Sequence, residues 1–77
     1  MSRQSGNGVM DVNDANKIAR ETMDTAGYFF YFIRETRKEG STWLVLVSVI
    51  HELFKITIDA ATGEVLEFRR TEGNRNM

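Results

Sequence analysis

The spacing of apolar positions changes once along this chain. Between Asp11 and Gly27, the apolar and small residues Val12, Ala15, Ile18, Ala19, Thr22, Met23 and Ala26 recur every three or four positions, with charged and amide residues between them. That period places them on one face of a helix. Asp11 stands where an N-cap belongs, and Met10 and Ala15 are spaced to staple the helix entry. Lys17–Glu21 and Arg20–Asp24 are opposite charges four residues apart, and Gly27 can take the left-handed stop. The predicted inner face is mostly alanine, a low relief suited to close packing on a sheet.

From Tyr28 onward the period is two and β-formers dominate. The pattern predicts strands at 28–38, 42–50, 53–59 and 65–70. Turns fall at "KEGS" and at "DAATGE", where Asp59 can bond the backbone two residues on and Gly63 can supply a positive φ, while Ile50–Leu53, without Gly, Pro or Asn, is either a tight turn or a bulge in one long bent strand. One helix followed by an antiparallel meander of four strands is an α+β two-layer domain. The reading assigns 1–10 to a disordered lead-in, 11–70 to a single domain and 71–77 to a flexible tail.

The strands are not equivalent. The last two alternate cleanly, with Phe54, Ile56, Ile58, Leu66 and Phe68 against Lys55, Thr57, Asp59, Glu67 and Arg69. The first two are apolar on both sides. A hairpin turning at Glu39–Gly40 groups Phe30, Phe32, Trp43, Val45, Val47 and Val49 on one face and Phe29, Tyr31, Ile33, Leu44, Leu46 and Ile50 on the other. A single helix covers one of these faces. The Trp43 face is the better choice, because Ser48 interrupts the other. The second set is therefore the expected interface, predicted to close a homodimer by sheet packing or edge pairing, or else to receive another protein.

Composition sharpens this picture. At 77 residues the chain can build only a marginal core, and small domains are often completed by disulfides, metals or oligomerisation. It has no cysteine and a single histidine, which leaves oligomerisation as the device. The net charge of −1, with acids and bases interspersed, predicts neither a nucleic-acid nor an anionic-membrane partner. The most apolar window, Trp43 to Ile50, is far shorter than the roughly 20 residues that span a bilayer. A cytoplasmic location is expected.

No residue set predicts catalysis, and no cofactor is expected. His51 and Glu52 are adjacent, which in a strand sends them to opposite faces, and no further ligands are spaced for a metal. Asp59, Thr62 and Glu64 span half of the roughly twelve residues that a calcium loop needs. The run "AGYFFYFI" echoes an RNA-stacking strand, but Ala26 stands where a basic residue belongs and Phe29 where Gly or Ala belongs. The sequence therefore predicts a turn at the first two places and no base platform at the third.

Two family resemblances bear on function. The segment "ITIDAATGEVLEF", with Ile56, Ile58, Asp59, Thr62, Gly63, Glu64, Val65 and Leu66 in place, resembles the end of PepSY-type domains, and the order of elements from 11 to 70 is similar to theirs. That resemblance implies a non-catalytic binding or inhibitory module. The segment "WLVLVSVIHE" with "ITID" and "GEVLEFRR" also looks like the core of gas-vesicle protein O, which implies an accessory role in that assembly. Neither resemblance implies a catalytic residue.

Overall fold

A computed structural model of the chain describes Gly8, Val9 and residues 11–71. Its elements are α1 (Val12–Ala26), β1 (Phe32–Glu39), β2 (Thr42–Val49), β3 (Glu52–Asp59) and β4 (Val65–Thr71). The four strands form one antiparallel sheet in the order β1-β2-β3-β4, and α1 packs on one of its faces. The predicted α+β meander is the fold.

The ends of α1 follow from its sequence. The Asp11 carboxylate accepts the amide N–H of Asp14 at 3.0 Å, satisfying one orphan donor of the first turn. Gly27, at φ 97°, closes the last turn by donating its N–H to the Asp24 carbonyl. Met10, the expected staple, lies outside the described residues. Ala15, Ala19 and Met23 are fully buried, whereas Val12 and Ala26 at the helix ends are exposed. The predicted ion pairs Lys17–Glu21 and Arg20–Asp24 do not form. Asp24 instead accepts a hydrogen bond from Tyr31.

The core lies under α1. Trp43, Val45 and Val47 on β2 stand opposite Ile58, Ile56 and Phe54 on β3, and all six are buried together with Ala15, Ala19 and Met23. This is the Trp43 face, the one that the break at Ser48 favours. Val9 belongs to the same core, although the sequence pattern assigns it to the lead-in. Its N–H donates to the Ala60 carbonyl at 2.8 Å, and its own carbonyl accepts the Trp43 indole N–H at 3.1 Å. Gly8 makes this docking feasible: at φ +46° a side chain there would strain the backbone and would meet the Ala60 carbonyl oxygen at 2.9 Å. Residues 1–7 and 72–77, assigned to the lead-in and tail, lie outside the described residues.

Two irregularities redirect side chains. The first is in β1. The hairpin turns at Gly40–Ser41, not Glu39–Gly40, since Glu39 pairs with Thr42. Moving the turn by one position changes the pairing by two residues, which keeps every side chain on its predicted face. The faces are instead exchanged by a bulge at Arg34, between Ile33 and Glu35. One extra residue reverses everything upstream of it. Ile33 thereby stands opposite Val47 and packs against the core, while Phe32 stands opposite Ser48 on the open face. The second irregularity lies between Thr57 and Ile58 and puts Val65, rather than Leu66, beside Ile58. Val65 packs against the core and Leu66 is exposed.

Candidate functional site

The five-aromatic run is not a strand up to Phe32. Tyr28 to Tyr31 form the connection between α1 and β1, and its two tyrosines fasten it to the body. The Tyr28 ring lies against Phe54, centroids 5.0 Å apart, and Phe54 in turn meets Phe68 at 5.5 Å. The Tyr31 hydroxyl donates to the Asp24 carboxylate at 2.9 Å, with the Arg20 carbonyl as a second acceptor at 3.3 Å. Desolvation, followed by this hydrogen bond and the negative charge of Asp24, holds the Tyr31 hydroxyl above its ordinary pKa.

Between these anchors, Phe29 and Phe30 are held out in water, 75% and 85% exposed. Phe32 is 62% exposed and Ile50 is 81% exposed. Phe32 and Ile50 lie at one end of the sheet, because Phe32 pairs with Ser48, two residues before Ile50 in the β2–β3 turn, and Phe29 and Phe30 stand in the connection that leads into β1 at that end. At roughly 200 Å2 for each full side chain, they leave about 600 Å2 of apolar surface in water. Joined in one patch, that area would stand at the upper end of what a monomer normally exposes.

Ile50 is out of place in a second way. It occupies the first of two loop residues between Val49 and Glu52 and has φ 40°, the only positive φ at a non-glycine among the described residues. A two-residue hairpin normally fills such a position with glycine, and a β-branched side chain there is a genuine outlier. Burial does not offset this strain, since the side chain points into water.

The open face of the sheet is different from the apolar surface predicted for it. Below the bulge β1 contributes Glu35, Arg37 and Glu39, with Arg37 bridging to Glu35 at 3.1 Å and to Glu39 at 2.8 Å. On the far side Glu67 is flanked by Arg69 at 2.9 Å and Lys55 at 3.8 Å. Leu44 and Leu46 lie in the channel between these rows. Leu44 is buried there, paired with Arg37 on β1 and Thr57 on β3. A wide apolar surface for sheet-on-sheet packing is therefore not present among the described residues.

The six residues of the predicted interface are thus dispersed. Phe29 and Ile50 are exposed at the aromatic end. Tyr31 is bonded to α1, Ile33 packs against the core, and Leu44 and Leu46 line the channel. Phe30 and Phe32, assigned to the covered face, belong to the exposed group. The one-residue insertion at Arg34 accounts for the exchange at Ile33 and Phe32, and the late start of β1, at Phe32, accounts for Phe29 and Phe30. Of the turn residues, His51 is exposed, and Glu52 is paired with Arg70 at 2.9 Å. Asp59 caps the β3–β4 turn, its carboxylate accepting the N–H groups of Ala61 and Thr62.

A second apolar feature is a groove of about 430 Å3 between α1 and β4, lined by Ile18, Thr22, Ala26, Val65 and Phe68. No helix among the described residues is long and apolar enough to cross a membrane. Comparison with protein-family models, with curated proteins and with solved structures finds no match.

Proposed function

We propose that this chain is a small non-catalytic interaction module that pairs with a second copy of itself through the aromatic end formed by Phe29, Phe30, Phe32 and Ile50. The observation that carries this reading is the double misfit of Ile50, an apolar β-branched side chain held both in water and in a strained turn. Neither the local backbone nor the fold of the monomer benefits from it; a surface that covers it would.

A second copy is the occupant that the dimensions favour. Two such ends brought together across a two-fold axis bury about 1,200 Å2 before any polar rim is added, the lower bound of a specific interface. An isologous contact needs no separate complementary patch, since each aromatic end meets its own image. The tyrosine anchors on either side of Phe29 and Phe30 reduce the ordering cost of association, because the connection is fastened before binding. A short chain without disulfides also gains stability by association. The PepSY-type resemblance supports a binding role rather than catalysis, and the cysteine-free composition suits the cytoplasm.

Sedimentation equilibrium tests this reading. The wild-type chain is expected to approach twice 8.8 kDa as concentration rises, and Phe30→Asp to remain at the monomer mass. A monomer at high micromolar concentration overturns it. So does a dimer that tolerates Phe30→Asp but dissociates with Leu46→Asp, which returns the contact to the open face.

A further inference from the structure

A depression of about 490 Å3 lies on the open face beside the Phe32–Ser48 pair, with Ile50 in its lining, and it has a chemical character of its own. Leu46, Ile50 and Leu53 are the apolar members of its lining. Ser48 and Leu53 belong to the row Phe32, Ser48, Leu53, Thr71 that crosses all four strands. Arg34, Glu35, His51 and Glu52 complete the lining.

The charges in this lining do not cancel each other. Glu35 is held by Arg37 at 3.1 Å and Glu52 by Arg70 at 2.9 Å, so each carboxylate already has a cationic partner outside the depression. The Arg34 guanidinium, the Ser48 hydroxyl and the His51 ring have no hydrogen bond or ion pair among the described residues. Each can donate a hydrogen bond. Arg34 is also the extra residue of the β1 bulge, and without that insertion its side chain would not join Glu35 on this face. An arginine with no hydrogen-bond or ion-pair partner among the described residues, a hydroxyl and an imidazole thus stand beside Leu46 and Leu53. The available volume falls within the range of small-molecule sites.

From this arrangement we infer that the depression binds a small amphiphilic carboxylate, with its head on Arg34 and Ser48 and its apolar tail over Leu46 and Leu53. A guanidinium matches a carboxylate in a two-point fork, and the pairing of Glu52 with Arg70 and of Glu35 with Arg37, which Glu39 shares, lowers the repulsion that two free carboxylates would impose. The ligand contacts are separate from the self-association: Ile50 borders both surfaces, but Arg34, Leu46, Ser48 and Leu53 are not part of the aromatic end.

The test is an amide chemical-shift titration with octanoate, kept below its micelle concentration, and with octan-1-ol and acetate as partial ligands. It is run on the wild-type chain and on Phe30→Asp, where the aromatic end cannot self-associate. Octanoate is expected to shift the amides of Arg34, Ser48 and Leu53 saturably in both backgrounds. Its affinity should be about tenfold above that of either partial ligand, the factor expected for one charge-assisted contact. Arg34→Gln, a change at an exposed position, should remove about the same factor. Equal binding of octan-1-ol, shifts confined to Ile18, Val65 and Phe68 in the α1–β4 groove, or no saturable shift in either background overturns the inference. None of those three results bears on the dimer.

Discussion

Replacing Ile50 by glycine separates stability from association more sharply than any other single change. In most proteins, removing a large apolar side chain lowers stability, because that side chain was buried. Here the side chain is 81% exposed in the monomer, so little burial is lost. What is removed is a strained turn. A non-glycine residue in this part of backbone space costs about 1–3 kcal/mol, and glycine's greater freedom in the unfolded chain returns about 0.5–1 kcal/mol of that. The net expectation is a monomer stabilised by about 1 kcal/mol, which for a domain of this size raises Tm by about 4–8 °C.

The dimer should respond in the opposite direction. Burying an isoleucine side chain contributes about 2 kcal/mol, and a two-fold contact loses it twice, so Ile50→Gly should weaken association by about 4 kcal/mol, or about a thousandfold in Kd. Thermal unfolding by circular dichroism, extrapolated to dilute protein, reads the first effect, and sedimentation equilibrium reads the second. A lower Tm in the dilute limit would show that the turn is not strained. An unchanged Kd would show that Ile50 lies outside the contact. Either result refutes the explanation given for this residue.

Other expectations concern the supports of the aromatic end and the core. Tyr31→Phe removes the bond to Asp24 and should lower stability by about 0.5–1 kcal/mol, measured by urea unfolding. Because the folded-state pKa of Tyr31 lies above that of the unfolded chain, its contribution is fully present below about pH 10 and is lost as pH rises through the folded value. The wild type should therefore lose stability in that alkaline window relative to Tyr31→Phe, and parallel alkaline profiles would contradict this. Trp43→Phe leaves the Val9 carbonyl without its indole partner and should cost about 1–3 kcal/mol. Gly8→Ala, which brings a methyl group against the Ala60 carbonyl, should loosen the same segment, seen as faster hydrogen exchange at the Val9 amide; unchanged exchange would remove Val9 from the fold's supports.

Much of the architecture is legible in the residues themselves. The helix is bracketed by two unambiguous end signals, Asp11 and Gly27, and the turn after β3 by Asp59 and Gly63, and all four act as their chemistry requires. The covered face of the sheet was also readable, because Ser48 marks the poorer core strip. The candidate site was not. A bulge has no composition of its own in "FIRET"; it arises where the paired strand and the helix together favour Ile33 on the inner face, which is a tertiary choice. The aromatic run "YFFYF" likewise suggests a strand, yet Tyr28 packs on Phe54 and Tyr31 bonds Asp24, and the strand begins only at Phe32. The turn at Ile50 lacks any glycine or asparagine, so its tight geometry could not be inferred from turn chemistry. Val9 carries no local signal, because its partners, Ala60 and Trp43, are distant in sequence.

The most direct test of the central claim is an isotope-filtered NMR experiment on a mixture of labelled and unlabelled chains, which detects contacts only between different molecules. Cross-peaks are predicted between the Ile50 methyl groups of one copy and the rings of Phe29 and Phe30 of the other. Intermolecular cross-peaks from Leu44 and Leu46, or none at concentrations well above the micromolar range, would contradict pairing through the aromatic end.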